Sequence, residues 1–483
     1  MSNQRRSLLY LACALLLVAA TALSAGAAPW DGFGSGSGAA VPRPAVPLPK
    51  VEGPITGGLR TGGPFWATPF DLKPFGYVEE EYFLSGTASD RGLPGQEHTA
   101  PYKVRILVRR PADPARFNGT ALLEWFNVSL QQEIEHDWPI DFPMLMRDGY
   151  ISASVSAQMI GVQSASPMAL KNWDPQRYGS LSHPGDDFSY DIFAQAAQAL
   201  RSGLAAGHLP VNLVLGSGTS QSCLRLVTYI SKLAAGDGVF DGFHPTTCPA
   251  TAEIPDTLVP MVWGTSEWEA AIPSRPDGKL LRVWEIAGTS HANWWEVSLG
   301  EAAGFRDGSS LQGSSAFPAR WDEDAAGQYG ERSREHSSNV APARYAFRAA
   351  VSALDRWAGD WKAFRAGRIS EDQVRPAPAA ARLERSGYEL RRDDHGNALG
   401  GVRLAALEVP VATYRGEFWN SPSGHTEPFD PATLAKLYPS HDVYVAKMRA
   451  AADTATAGGF MLTADRDEWM RRVAASPIGV GGR

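Results

Sequence analysis

A serine attacks a carbonyl only if its hydroxyl stands clear of the chain and a base can take its proton. The stretch Val211-Asn212-Leu213-Val214-Leu215-Gly216-Ser217-Gly218-Thr219-Ser220-Gln221-Ser222-Cys223-Leu224 provides for the first condition. It reads as an apolar strand, a few small residues and then a helix. A serine on such a sharp strand-to-helix turn is pushed out above the sheet, and the residues two before and two after it must be small. Gly218 and Ser222 satisfy this, although Ser222 departs from the common G-x-S-x-G form. Ser220 is therefore the expected nucleophile. The Gln221 N–H, at the positive end of the following helix, is an expected oxyanion donor. Two other readings fit the same residues: a phosphate-binding turn, which here lacks the lysine of a P-loop, and Ser222 as the nucleophile.

The base should follow a late strand, downstream of the serine and of the acid. Leu280 to Ile286 is such a run, and Ala287-Gly288-Thr289-Ser290-His291 leads out of it, so His291 is the expected base. His183 lies upstream of Ser220, His244 follows no evident strand, and His395 and His425 sit in turn-like segments. The acid should follow the preceding strand, where Ser266-Glu267-Trp268-Glu269 offers Glu267 first and Glu269 second; Asp237, Asp241 and Asp256 come before that strand. Its role is to hold the imidazole tautomer and stabilise the imidazolium. A second oxyanion donor is expected from the loop after the strand through Trp125-Phe126, from the N–H of Val128 or Ser129. Trp263, Trp268, Trp294 and Trp295 flank the acid and base, either as core or as an aromatic-lined pocket. No H-E-x-x-H, paired C-x-x-C, calcium loop or dinucleotide fingerprint occurs, so the expected chemistry uses no metal or cofactor.

These residues need a rigid sheet to hold them. Residues 77–84 and 102–110 alternate apolar and polar side chains, as antiparallel edge strands with one wet face do. The runs 120–126, 150–155, 211–215, 258–263 and 280–286 are continuously apolar, as strands covered on both faces are. Helical patterns at 187–202 and 221–235 bracket the run before Ser220, and 341–367 is a third. Strand–helix alternation predicts an α/β fold with a mainly parallel sheet.

The chain has 483 residues and a net charge of −7, and no basic tract points to nucleic acid. Arg5-Arg6, the apolar run 8–20 and Ala25-Gly26-Ala27 predict a signal peptide over 1–27, with loose likeness to a twin-arginine signal. A membrane anchor or a lipid-modified Cys13 are the other readings; the run is short of the roughly 20 residues a membrane span needs. The expected location is therefore outside the cytoplasm, periplasmic or secreted. Residues 28–75 read as a Pro/Gly-rich arm, 76–300 as the catalytic core and 301–483 as an elaboration that could cap it. Cys223 and Cys248 remain after signal removal, and an exported chain can join them; two buried thiols are the other reading.

Long segments resemble a family of exported bacterial proteins known as alpha/beta hydrolase domain proteins. They include Gly76-Tyr77-Val78-Glu79-Glu80-Glu81, Glu124-Trp125-Phe126-Asn127-Val128-Ser129, Gly218-Thr219-Ser220-Gln221-Ser222 and Ala287-Gly288-Thr289-Ser290-His291-Ala292. The resemblance spans nearly the whole mature chain and implies an α/β-hydrolase fold, without implying a substrate. Where that family tends to carry Ser-Glu-Thr-Asp after the acid strand, this chain keeps Glu267 and has Glu269 at the last position.

Taken together, the residues predict an exported carboxylic ester hydrolase working on a small or polymer-derived ester. An amidase, peptidase or acyltransferase would use the same triad, and a non-catalytic binding protein could use the same scaffold.

Overall fold

A computed structural model describes residues 45–60, 63–91, 97–252, 254, 259–309, 339–416 and 422–480. The predicted signal peptide and the start of the arm lie outside the described residues.

Nine strands form one sheet: β1 (Lys50–Glu52), β2 (Tyr77–Ser89), β3 (Thr99–Pro111), β4 (Thr120–Trp125), β5 (Ile151–Val155), β6 (Leu213–Thr219), β7 (Gly242–Thr246), β8 (Met261–Thr265) and β9 (Leu281–Glu285). Their order is β1-β2-β3-β5-β4-β6-β7-β8-β9. β2 and β3 pair antiparallel from Tyr77↔Pro111 to Ser89↔Thr99, and β3 joins β5 antiparallel. The remaining strands, β5-β4-β6-β7-β8-β9, all run parallel. The alternating edge pair and the continuously apolar centre thus lie where their patterns put them. Part of the arm also joins the fold: β1 pairs with β2, and Phe65 is fully buried.

Successive residues on a strand face opposite sides, so each central strand feeds two cores. Leu122, Leu215 and Val262 point to one side, where α1 (Asp137–Asp148) packs. Ala121, Leu123 and Val214 point to the other, covered by α2 (Ser189–Arg201) and α3 (Gln221–Lys232). Each fully buried Leu, Ile or Phe on these faces contributes about 1.5–3 kcal/mol. Downstream come α4 (Trp294–Asp307), α5 (Ala343–Arg365), α6 (His441–Ala457) and α7 (Thr463–Ala474). α5 lies beyond residue 300 and yet packs on β6, β7, β8 and α1, with Tyr345, Phe347, Leu354 and Trp357 buried beneath it. No helix among the described residues is long and apolar enough to cross a membrane.

Besides β1 in the arm, one strand of the sheet centre has no strand signal in the sequence. β7 contains His244 and Pro245, and proline cannot donate to a ladder. The strand survives because β7 pairs with β8 only at Phe243↔Met261 and Thr246↔Gly264, which leaves Pro245 out of that ladder. His244 is buried within β7, its Nδ1 2.7 Å from the Val262 carbonyl oxygen, and burial pushes its pKa down to about 4.

Candidate active site

Ser220 sits where β6 becomes α3, with φ 59° and ψ −116°. Positive φ is strained for a residue with a Cβ, by about 1–3 kcal/mol, and persists only where surrounding bonds over-determine it. Here the Ser220 N–H donates to the Thr246 carbonyl at 3.0 Å, from the end of β7. The Thr219 N–H donates to Ser222 Oγ at 3.0 Å, and that hydroxyl returns a bond to the Thr219 carbonyl at 3.0 Å. Asn127 Nδ2 donates to the same carbonyl at 3.0 Å. A Cβ on Gly218 would lie 2.9 Å from the Ser222 carbonyl oxygen, so the turn requires glycine there. Ser222 is tolerated in the last position because its hydroxyl closes onto Thr219 instead of crowding the turn.

The turn brings Ser220 Oγ to 2.9 Å from His291 Nε2. His291 Nδ1 lies 2.5 Å from Glu269 Oε1, while Glu269 Oε2 accepts from the Ser266 N–H at 2.9 Å and the Ser266 hydroxyl at 2.6 Å. Three side chains from β6, β8 and β9 therefore form one continuous relay. Burial alone would push the Glu269 carboxyl up, but the charge of His291 and the hydrogen bonds from His291 and Ser266 outweigh it and hold the carboxyl below its usual value. For His291 burial acts downward, yet Glu269, with a smaller contribution from Glu296, raises the imidazole above its ordinary value. The acid in the pair is thus held ionised and the base is made more basic.

The expectation that Glu267 orients His291 is corrected by this geometry. Glu267 is fully buried, and His291 Nδ1 is bonded to Glu269. Glu267 accepts from the Gly288 N–H at 2.6 Å, from the Gly416 N–H at 3.0 Å and from Arg392 at 3.2 Å. Its partners are the backbone of the loop that carries His291 and two residues far down the chain. The reason lies in the local turn: Glu269 opens a single 3-10 turn, Glu269–Ala271, and reaches back to Ser266. The spacing S-x-x-E in Ser266-Glu267-Trp268-Glu269 is the sequence signal of a glutamate that folds back onto the serine three residues before it. That signal was there to be read.

The loop after β4 also differs in detail. The Ser129 N–H donates to Asn127 Oδ1 at 2.8 Å within its own turn, so it is not free to serve as an oxyanion donor. The Val128 N–H faces the Gln221 side chain, donating to Oε1 at 3.3 Å. The Gln221 N–H opens α3, among the groups a helix start leaves without an intrahelical acceptor. The sequence gives no sign of the role Asn127 plays here, tying the loop to the Ser220 turn through the Thr219 carbonyl.

Trp263 and Trp295 are core: the Trp263 indole N–H donates to the Cys248 carbonyl, and that of Trp295 to the Pro139 carbonyl. Trp268 is half-buried, and the Trp294 side chain lies outside the described residues. Asp256 likewise lies outside them. His183 is buried against the Ala157 carbonyl. Cys223, one turn into α3, is disulfide-bonded to Cys248, beyond the end of β7, with Cα atoms 6.1 Å apart.

A strained serine at a strand-to-helix turn, an imidazole from the loop after the last strand and a carboxylate from the strand before it define an α/β-hydrolase. The family model described as "Alpha/beta hydrolase domain" matches residues 51–471, and the chain belongs to that family. No curated protein matches it. Among solved structures, esterase Est22 is similar at 8% identity, over 41% of this chain and 67% of that one, with a TM-score of 0.27. A prolyl endopeptidase structure is 12% identical over 50% of this chain and 39% of that one, TM-score 0.28. Brefeldin A esterase, a bacterial homologue of human hormone-sensitive lipase, is 14% identical over 34% and 39%, TM-score 0.20. None of these likenesses is close enough to bear on the chemistry.

Proposed function

We propose that this α/β-hydrolase is an exported serine hydrolase that cleaves carboxylic esters, with Ser220 as nucleophile, His291 as base and Glu269 as the orienting acid. The observation that carries the proposal is the Ser220–His291–Glu269 relay, at 2.9 Å and 2.5 Å. In the first half-reaction Ser220 Oγ bonds to the ester carbon as its proton passes to His291 Nε2. The carbonyl π electrons move onto oxygen, facing the N–H groups of Gln221 and Val128. Collapse of this tetrahedral species breaks the bond to the alkoxy group, which leaves with the proton from His291. Water then repeats the sequence on the acyl-serine, releasing the acid and restoring the Ser220 hydroxyl. Export rests on the N-terminal pattern of Arg5-Arg6 and the apolar run after it, and a Cys223–Cys248 bond suits an oxidising compartment.

A panel of p-nitrophenyl esters set against peptide p-nitroanilides tests the reaction class. Turnover of esters, lost by a factor of about 10⁴ or more in Ser220→Ala, is expected. Faster cleavage of the anilides than of the esters would replace the ester reading with an amidase or peptidase.

A further inference from the structure

The side chain of Gln221 belongs to no step above, yet it accepts from the Val128 N–H that one step needs. Its orientation follows from donor and acceptor logic. The Trp125 indole N–H can only donate, and it points at Gln158 Oε1, 3.1 Å away. That oxygen must therefore accept, and the group facing it from Gln221, also at 3.1 Å, must be the amide Nε2. The Gln221 carbonyl oxygen is then left facing the Val128 N–H, where it accepts at 3.3 Å. Gln158 is in turn held from behind by Asp186, which also takes the Met159 N–H at 2.8 Å and Arg225 at 3.1 Å.

A backbone N–H carries one proton. While Val128 gives it to Gln221, it cannot give it in full to a substrate oxygen. The loop itself is poorly placed to yield, because Asn127 exchanges both backbone bonds with Ile134 and holds Ser129 and Thr219 through its side chain. The half-buried Gln221 side chain, with three rotatable bonds and neutral hydrogen bonds of 3.3 Å to Val128 and 3.1 Å to Gln158, is the part that can move.

We propose that the Gln221 side-chain amide is an internal stopper of the oxyanion site, which the substrate carbonyl must displace from the Val128 N–H before Ser220 can react. This rests on Ser220 as nucleophile and Val128 as second oxyanion donor. The backbone N–H of Gln221 remains a donor throughout; only its side chain competes. Because the substrate carbonyl needs the position from the moment it binds, the competition raises KM and leaves kcat unchanged. The rival role, a strut that holds the Val128 loop in its working position, makes the opposite prediction.

The test is Gln221→Ala, which keeps the backbone donor and deletes the stopper, assayed with p-nitrophenyl butyrate. A rise in kcat/KM of roughly 2- to 10-fold, carried by KM, is expected; this is the factor one neutral hydrogen bond is worth. Gln158→Ala, which frees the far end of the same amide without reaching the substrate, should give a smaller rise of the same kind. A fall in kcat, or an unchanged kcat/KM, in folded Gln221→Ala overturns the proposal. The second measurement is a crystal structure of the wild-type fluorophosphonate adduct, in which the phosphonyl oxygen should hold the Val128 N–H and the Gln221 amide should be turned away. An adduct with Gln221 still on Val128 overturns the stopper alone, whereas failure of Ser220 to form any adduct overturns the serine-hydrolase reading with it.

Discussion

Ser220 and His291 meet across 2.9 Å, but the chain brings them there by different means. The Ser220 turn is specified within a few residues: Gly218 makes room, Ser222 ties back to Thr219, and α3 starts at once. Asn127 and Thr246 reach in from neighbouring strand ends, and Val128 and Gln158 hold the Gln221 side chain. The His291 loop has two local side-chain bonds, from the Thr289 hydroxyl to the Ile286 carbonyl at 2.7 Å and from the Ser290 hydroxyl to the Ala292 carbonyl at 3.1 Å, but its backbone is held mostly from elsewhere. Its Gly288 N–H is taken by Glu267, its Gly288 carbonyl by Asn339 at 2.8 Å, and its Ala292 N–H by the Pro422 carbonyl at 2.9 Å. Glu267 also binds Gly416 and Arg392, so residues more than a hundred positions downstream help to hold His291 in place. A nucleophile can be strained locally, since a tight turn stores the strain; a base on a long loop must be anchored from outside.

That contrast assigns the two glutamates different work, and paired substitutions test the division. Glu269→Gln keeps size but removes the charge beside His291. Turnover should fall by on the order of 10³. The acid limb of the pH–rate profile should also move. In the wild type the rate should fall as His291 is protonated, with an inflection above the ordinary imidazole value of 6.5 because Glu269 raises it. Without that charge burial prevails, and the inflection should shift to lower pH. Glu267→Gln should do the reverse, leaving the inflection in place while lowering thermal stability. Removing one partner of a buried ion pair typically costs about 3–5 kcal/mol, here by taking away the buried charge that faces Arg392 and the N–H groups of Gly288 and Gly416. If the inflection moved with Glu267 and stayed with Glu269, the assignment would be reversed.

The smallest effect belongs to the local side of the comparison. Ser222→Ala removes one hydroxyl that bonds the Thr219 N–H and carbonyl, and should cost about 0.5–1.5 kcal/mol of stability with turnover changed no more than a few-fold. Loss of turnover in a folded Ser222→Ala would instead make Ser222 the reacting hydroxyl.

The same contrast explains what the sequence disclosed. The Ser220 turn, the flanking strand and helix, and His291 after its strand were legible because each is encoded in contiguous residues. The alternating edge strands and the apolar centre were legible through periodicity. β7 was hidden by His244 and Pro245, whose types argue against a central strand until the neighbouring ladder is seen to bypass the proline. The choice between Glu267 and Glu269 turned on a bond within four residues, signalled by the S-x-x-E spacing, and on partners at 392 and 416 that no local pattern could supply. The Ser129 N–H was lost to an Asn127 turn, a competition between a side chain and a donor that only geometry resolves.

The measurement closest to the central claim is the site and rate of fluorophosphonate labelling, read by mass spectrometry on intact and digested protein. The wild type should gain one adduct, on the peptide holding Ser220. Ser220→Ala should gain none, and His291→Ala should react at least a hundredfold more slowly. Labelling at any other residue, or at an equal rate without the imidazole, would contradict the relay from which the function was drawn.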